Sequence, residues 1–333
     1  MRQALQSAWL RRGALAWSLW PLSLLYRALV ALRRRWYRTG RLKSERLPVP
    51  VVVVGNVVAG GAGKTPVLLA LLEHLASRGL RAGVLSRGYG RSSRECLEVT
   101  AASQPGQVGD EPILIQRAAA VPVVVARKRG EAGRTLLAAH PDVQVIVCDD
   151  GLQHLALQRD IELCVFDGRG VGNGWLLPAG PLREPWPRDV DFVLAPKEFA
   201  AAGNGFSVER ELAPLVCNSR GERVRLASLL GRPLLAVAGI ANPAGFFSML
   251  REHGLTLECT FALPDHDQFD GAPLPLDPAT SVVCTEKDAV KLWRQRPDAW
   301  AVPLVVRIDP GFWPAFDRSL DAKLSSADGS ETA

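Results

Sequence analysis

Residues 51–66 read VVVVGNVVAGGAGKTP, a run of valines entering a glycine-rich loop that closes on Gly63-Lys64-Thr65. Glycines let backbone N–H groups approach phosphate oxygens without side-chain obstruction. In a loop of this kind the lysine reaches the β- and γ-phosphates of a nucleotide and the hydroxyl after it holds Mg²⁺. The span Val58, Ala59, Gly60, Gly61, Ala62, Gly63, Lys64 and Thr65 is therefore the expected nucleotide cradle. The usual spacing G-x-x-x-x-G-K-[ST] places a glycine where this chain has Val58, so the loop is a variant P-loop.

A second element supports the first. QVIVCDD, residues 144–150, is an apolar strand ending in Asp149 and Asp150. A carboxylate at such a strand tip binds Mg²⁺ directly or through water. The Thr285-Glu286-Lys287-Asp288 run resembles a guanine-reading motif but has the wrong spacing, because Lys287 adjoins Asp288.

These residues need a scaffold, and the chain supplies an α/β rhythm. Short apolar runs at 50–54, 82–85, 122–126, 143–148, 161–166 and 191–195 alternate with helical patterns near 64–78, 110–120 and 128–139. Fully apolar strands are those buried on both faces of a parallel sheet, and ligands bind at the carboxyl ends of such strands. After an irregular stretch at 201–230 a second rhythm follows: strands near 233–238, 255–260, 280–284 and 302–307, a helix at 286–294, and another opened by Asn242-Pro243. The expected fold is α/β: a P-loop NTPase-like α/β/α sandwich, a smaller second α/β/α domain and an N-terminal membrane-associating helix. The expected divisions are 1–46 membrane segment, 47–215 kinase-type P-loop domain, 216–230 linker or β-ribbon, 231–320 second domain and 321–333 disordered tail.

The chain has 333 residues, a formal net charge of +6 and 47% hydrophobic residues, a globular composition. Residues 1–46 carry eleven Lys or Arg against the single acidic Glu45, and the remainder is close to neutral. The excess therefore belongs to one segment, which argues for an anionic lipid surface and against a nucleic-acid groove. That segment holds ALAWSLWPLSLLYRALVAL at 14–32, with Pro21 and Arg27 inside it, basic flanks, and Trp9, Trp17, Trp20 and Trp36 along it. It reads as an interfacial helix or helical hairpin lying on the membrane, with a transmembrane helix as the rival. The six cysteines form no C-x-x-C pair, which suits buried thiols in a reducing compartment. Composition sets no oligomeric state.

In order along the chain, GNVVAGGAGKTP, SRGYGR (86–91), VGDEP (108–112), DDGLQH (149–154), LPAGPLREP (177–185), PDHDQF (264–269) and TEKDAVKL (285–292) resemble the blocks of the tetraacyldisaccharide 4′-kinase, or lipid A 4′-kinase, family. The resemblance runs from about residue 5 to 310. It implies transfer of the γ-phosphate of ATP to the 4′-hydroxyl of a tetraacyl disaccharide 1-phosphate in lipopolysaccharide assembly. It further implies Mg²⁺, a peripheral position on the cytoplasmic face of the bacterial inner membrane, and two α/β/α domains joined by a β-ribbon. Val58 and Ala62 stand where threonines are common in that family, Asp267 where a second histidine is common, and Leu152 where phenylalanine is frequent.

The resemblance also orders the site residues. Asp110 is either a helix-capping carboxylate or the general base, and the family motif favours the base, with His266 as the second catalytic residue, acting chemically or orienting Asp110. Glu111 joins Thr65, Asp149 and Asp150 as a candidate metal contact. Arg87, Arg91, Arg127, Gln153, His154 and Arg183 are candidates for binding substrate or phosphate, since arginine forks suit phosphate oxygens. A membrane-associated P-loop ATPase or switch without a sugar acceptor is the alternative.

Overall fold

Val51–Gly55 forms β1, and every one of its residues is buried. Four β-branched residues in succession suit a strand covered on both faces. The computed structural model describes residues 8–202, 205–265, 267, 269 and 280–328. β1 pairs in parallel with β5 (Val145–Asp149) on one side and with β6 (Ile161–Val165) on the other. Around them lie β2 (Ala82–Ser86), β3 (Leu97–Glu98), β4 (Val123–Val125), β7 (Phe192–Ala195), β8 (Phe206–Leu212) and β15 (Leu304–Ile308). The resulting nine-stranded sheet has the order β15-β8-β7-β6-β1-β5-β2-β4-β3. The loops after β1, β5 and β6 therefore emerge side by side at the carboxyl edge, where an open α/β sheet binds its ligand.

Helices α2 (Lys64–Ser77), α4 (Asp110–Ala119) and α5 (Arg129–Ala139) fall where the sequence pattern places them; the short α3 (Pro105–Val108) precedes α4. One core holds Val67, Leu68, Leu71, Leu72 and Leu75 of α2 together with Val52 and Val54 of β1. Burying side chains of this size is worth roughly 1.5–3 kcal/mol each.

A six-stranded sheet, β10-β9-β14-β13-β11-β12, forms the second unit. Its strands are β9 (Leu215–Cys217), β10 (Arg223–Arg225), β11 (Pro233–Ala238), β12 (Thr256–Ala262), β13 (Ser281–Thr285) and β14 (Trp300–Val302). Helix α7 (Pro243–Glu252) starts as its sequence requires, with the Asn242 side chain accepting from Gly245 N at 3.1 Å, and α8 (Glu286–Leu292) follows β13.

Of the expected divisions, 216–230 takes its β-ribbon form, and two other expectations change. The 216–230 segment is the β9–β10 hairpin at the edge of the second sheet, with Arg223 opposite Cys217. The strand expected at 302–307 divides at Pro303: β14 stays in the second sheet, while β15 runs antiparallel to β8 in the first. The supposed tail is helical to Asp328 in α9 (Phe312–Asp328). Phe312, Phe316 and Leu320 recur every fourth residue and are fully buried in the α2 core. Trp313 stacks on His74 at 4.2 Å, and Asp317 bonds both His74 at 2.8 Å and Arg78 at 2.9 Å. The chain thus passes between the units twice, at 213–214 and at 303, and Ala213 N donates to Pro303 O at 2.9 Å where the two passages meet.

Residues 14–38 form one helix, α1 (Ala14–Arg38), which continues through Pro21. It is long and apolar enough to cross a membrane by length and composition. One face is fastened to residues 153–184: Ser23 Oγ donates to Leu176 O at 2.8 Å, Tyr26 OH to Arg183 O at 2.8 Å and Arg33 to Gln153 O at 3.1 Å, while Arg34 pairs with Glu184. The opposite face exposes Leu22, Leu25, Leu29, Leu32 and Trp36, an apolar stripe at three-to-four residue spacing.

Candidate active site

Gly63 caps α2 in the left-handed conformation at φ 68°, a backbone that favours glycine, so Lys64 and Thr65 open the helix at the mouth of the loop. Gly60 and Gly61 are exposed. Val58 lies elsewhere: it is 3% exposed and forms an antiparallel bridge with Leu182. Ala59 N donates to Pro181 O at 2.7 Å, and Arg183 N to Val57 O at 2.7 Å. The first part of the expected cradle is therefore paired with the GPLRE segment, and its side chain fills the core. This explains the valine. A position that packs inward and pairs its backbone requires no glycine, and the open rim begins at Gly60.

Asp150 accepts from Arg183 Nη1 at 3.0 Å and from Nη2 at 2.8 Å, and Lys64 Nζ stands 3.5 Å from Asp150 Oδ1. Burial would raise the Asp150 carboxyl, but Lys64 and Arg183 outweigh it and hold the group well below the usual carboxylate range. Arg183 also donates to Asn56 O at 2.7 Å, as does Gln153 Nε2 at 3.0 Å. The two candidates from DDGLQH and GPLREP, Gln153 and Arg183, thus brace the loop from behind. Asp149 is 2% exposed and accepts from Ser86 Oγ at 3.0 Å through Oδ2. Its Oδ1 is buried with no hydrogen-bond partner. Burial, then Glu111 and Asp150, pushes its carboxyl up to about 6 against the pull of Lys64 and Arg129. A buried, unpartnered carboxylate oxygen among other carboxylates is a place for a cation.

Across the cleft, α4 meets α8. Asp110, the first residue of α4, is 5% exposed. Its Oδ2 lies 3.2 Å from Lys291 Nζ, and Lys291 is 1% exposed. Lys287 stands 3.3 Å from Glu111 and 3.1 Å from Asp265. Burial would lower the Lys287 ammonium, but the carboxylates of Glu111, Asp110 and Asp265 raise it instead. Two lysines four residues apart on one helix face thus oppose two adjacent carboxylates. His266 lies outside the described residues.

The remaining candidates divide. His154 accepts from Arg129 N at 3.2 Å; burial, then Arg129, Arg33, Arg159 and Arg87, depresses its imidazole to about 4, so it is neutral near pH 7. Arg87 and Arg127 are exposed at the tips following β2 and β4. Arg91 turns into its own loop, donating to Glu95 O at 2.7 Å. Arg129 is 3% exposed and donates to Asp149 O at 2.8 Å, supporting the strand tip from beneath.

The family model for tetraacyldisaccharide-1-P 4′-kinase matches residues 15–325 of the chain. The chain belongs to this family. A tetraacyldisaccharide 4′-kinase of Acidovorax sp. (strain JS42) is 58% identical over 331 residues, covering 99% of this chain and 97% of the relative. One from Delftia acidovorans is 55% identical over 325 residues, covering 96% and 95%. Among solved structures, the "apo" form of LpxK from Aquifex aeolicus in complex with ATP superposes with a TM-score of 0.80 at 30% identity, covering 92% of this chain and 99% of that one.

Two arginines of this kinase-family chain escaped the motif reading. Arg169, in the loop after β6, donates through Nη2 to Gly61 O at 2.7 Å while Asp167 grips its Nε at 2.9 Å. Arg210 on β8 donates to Ala62 O at 2.8 Å and to Phe166 O at 3.2 Å. The glycine-rich DGRGVGNG at 167–174 was the available signal, since it follows a strand tip. Lys291 carried the helical spacing from Lys287 that would have placed both on one face.

Proposed function

We propose that this chain transfers the γ-phosphate of ATP to the 4′-hydroxyl of a tetraacyl disaccharide 1-phosphate. The observation that carries the reading is the convergence of the Lys64 loop, the Asp149–Asp150 tip and the buried Asp110 at one sheet edge, in a chain of this family. The N–H groups from Gly60 to Thr65 are assigned to the phosphates, with Lys64 turning from Asp150 towards them. Asp110 is assigned to the acceptor hydroxyl as its general base, and Arg87, Arg127 and His154 to the substrate side of the cleft.

Among the described residues no group of three or more His, Cys, Asp or Glu side chains is placed to hold a metal ion. Mg²⁺ on a nucleotide needs fewer, taking one or two carboxylates with phosphates and water. The unpartnered Asp149 Oδ1 fits that demand, with Glu111 close enough to raise the Asp149 carboxyl and Thr65 assigned as the hydroxyl ligand. When bound, the ion neutralises charge on the β- and γ-phosphates. The two units are assigned as domains that close on the nucleotide, and the place of work as the cytoplasmic face of the inner membrane.

The test is a transfer assay with γ-labelled Mg-ATP and tetraacyl disaccharide 1-phosphate in mixed micelles. Label on the lipid at the 4′-position is expected. Label released only as free phosphate would overturn the reading in favour of an ATPase.

The exposed stripe of α1 is assigned to the bilayer, with its basic flanks on anionic headgroups. Leu25→Glu combined with Leu29→Glu is expected to weaken binding to anionic vesicles by at least about tenfold, given the transfer energy of two leucines. The melting temperature should hold, because both residues are exposed. Flotation equal to that of the unmodified chain would refute the assignment.

A further inference from the structure

We infer that Arg169 is an arginine finger supplied by the chain itself, contacting the transferring γ-phosphoryl group. The inference rests on the kinase reading above and adds a catalytic residue to it. β6 is the neighbour of β1 in the sheet, so the loop after β6 opens directly beside the phosphate loop. There Asp167 holds Arg169 by Nε at 2.9 Å and Nη2 at 2.7 Å, and Nη2 also donates to Gly61 O at 2.7 Å. The third guanidinium nitrogen, Nη1, has no hydrogen-bond partner among the described residues. It stands 3.2 Å from where a β-carbon on Gly60 would sit.

That position is informative. The amides nearest the start of α2 take the inner phosphates, so the Gly60–Gly61 rim faces the outermost one. The rim is exposed, and the second unit also approaches it, with Ala241 Cβ 3.1 Å from a β-carbon position on Gly61. A fixed guanidinium with one free nitrogen at this rim is poised for a terminal phosphate oxygen. Arg210 differs in place: its guanidinium lies against Gly63, away from the Gly60–Gly61 rim, with Nη2 donating to Ala62 O and Phe166 O, and it braces the loop. In the transfer, the bond from the γ-phosphorus to the bridging oxygen breaks and its electron pair stays on ADP. A new bond forms to the 4′-oxygen, whose proton passes to Asp110. Arg169 stabilises the charge on the three equatorial oxygens as this happens.

The experiment compares unmodified enzyme with Arg169→Ala and Arg169→Lys. The alanine variant is expected to lose at least about 10²-fold in kcat, the scale of one oriented charge donor, with ATP affinity nearly unchanged. Lysine should restore part of the loss, because the charge remains and the fork does not. Trapping of ADP with aluminium fluoride and acceptor should occur in the unmodified enzyme and fail in Arg169→Ala. The lysine variant, which retains the cation, separates chemistry from misfolding if the alanine variant is unstable. A loss confined to ATP affinity, with kcat and trapping intact, would make Arg169 a mere prop of Gly61 and overturn the inference. An inactive unmodified enzyme would instead defeat the kinase reading.

Discussion

Asp110→Asn is expected to lower kcat by roughly 10²–10³-fold, the usual contribution of a positioned general base. The substitution keeps the shape of the side chain and removes only its ability to take a proton. Asp110 is assigned to the acceptor and not to the nucleotide, so ATP affinity should change little, and the loss should fall on kcat rather than on nucleotide KM. Asparagine retains an oxygen for Lys291, so the cleft keeps a hydrogen bond where alanine would leave the ammonium bare. Steady-state rates, normalised to the fraction folded, provide the measurement. A kcat near that of the unmodified enzyme would return Asp110 to the role of a helix-start carboxylate.

The second large effect falls on stability. Lys291→Met leaves Asp110 buried opposite a thioether, and removing one member of a buried ion pair costs about 3–5 kcal/mol. Both side chains are nearly inaccessible, at 1% and 6%, so solvent screening does little to soften the loss. Adding Asp110→Asn to Lys291→Met removes the carboxylate that faced the lost ammonium, and the double variant should recover much of the difference. The coupling energy read from urea unfolding of the four proteins is expected to exceed about 1 kcal/mol. Additive effects would show that the pair is energetically indifferent. Because the two residues lie on different sheets' helices, the same coupling measures how firmly α4 and α8 hold the cleft together.

The parts of this molecule written in local pattern were legible in its sequence. The unbroken valines of β1 and the apolar run into Asp149 declare strands buried on both faces, and the glycines before Lys64 declare a phosphate loop. What depended on partners far along the chain was not legible. β8 reads FSVEREL, alternating with charge, and nothing local says that its mate is β15, nearly a hundred residues on. The polar end of α9 masked the Phe312, Phe316 and Leu320 repeat that packs it onto α2. Val58 departs from the motif for a reason that lies in its distant partner, Leu182. Arg169 carries no signature of its own. Its proximity to Gly60 follows from β6 lying next to β1, an adjacency that sheet order sets. Lys287 and Lys291 have helical spacing, but the carboxylates opposite them belong to another sheet's helix.

The second passage of the chain at Pro303 also imposes an order of birth. Residues 304–328 follow the whole of the second unit in the chain, yet they supply an edge strand to the first sheet and a helix that shares a core with Leu68, Leu71 and Leu72. Until they arrive, the helix that begins at Lys64 leaves part of its apolar flank uncovered, while the whole of the second unit is being made. Contacts of such long sequence separation form late and leave nascent surface exposed. The second unit is thus enclosed in the first as an interruption, and the helix behind the phosphate loop gains its full packing only after the second unit has been made.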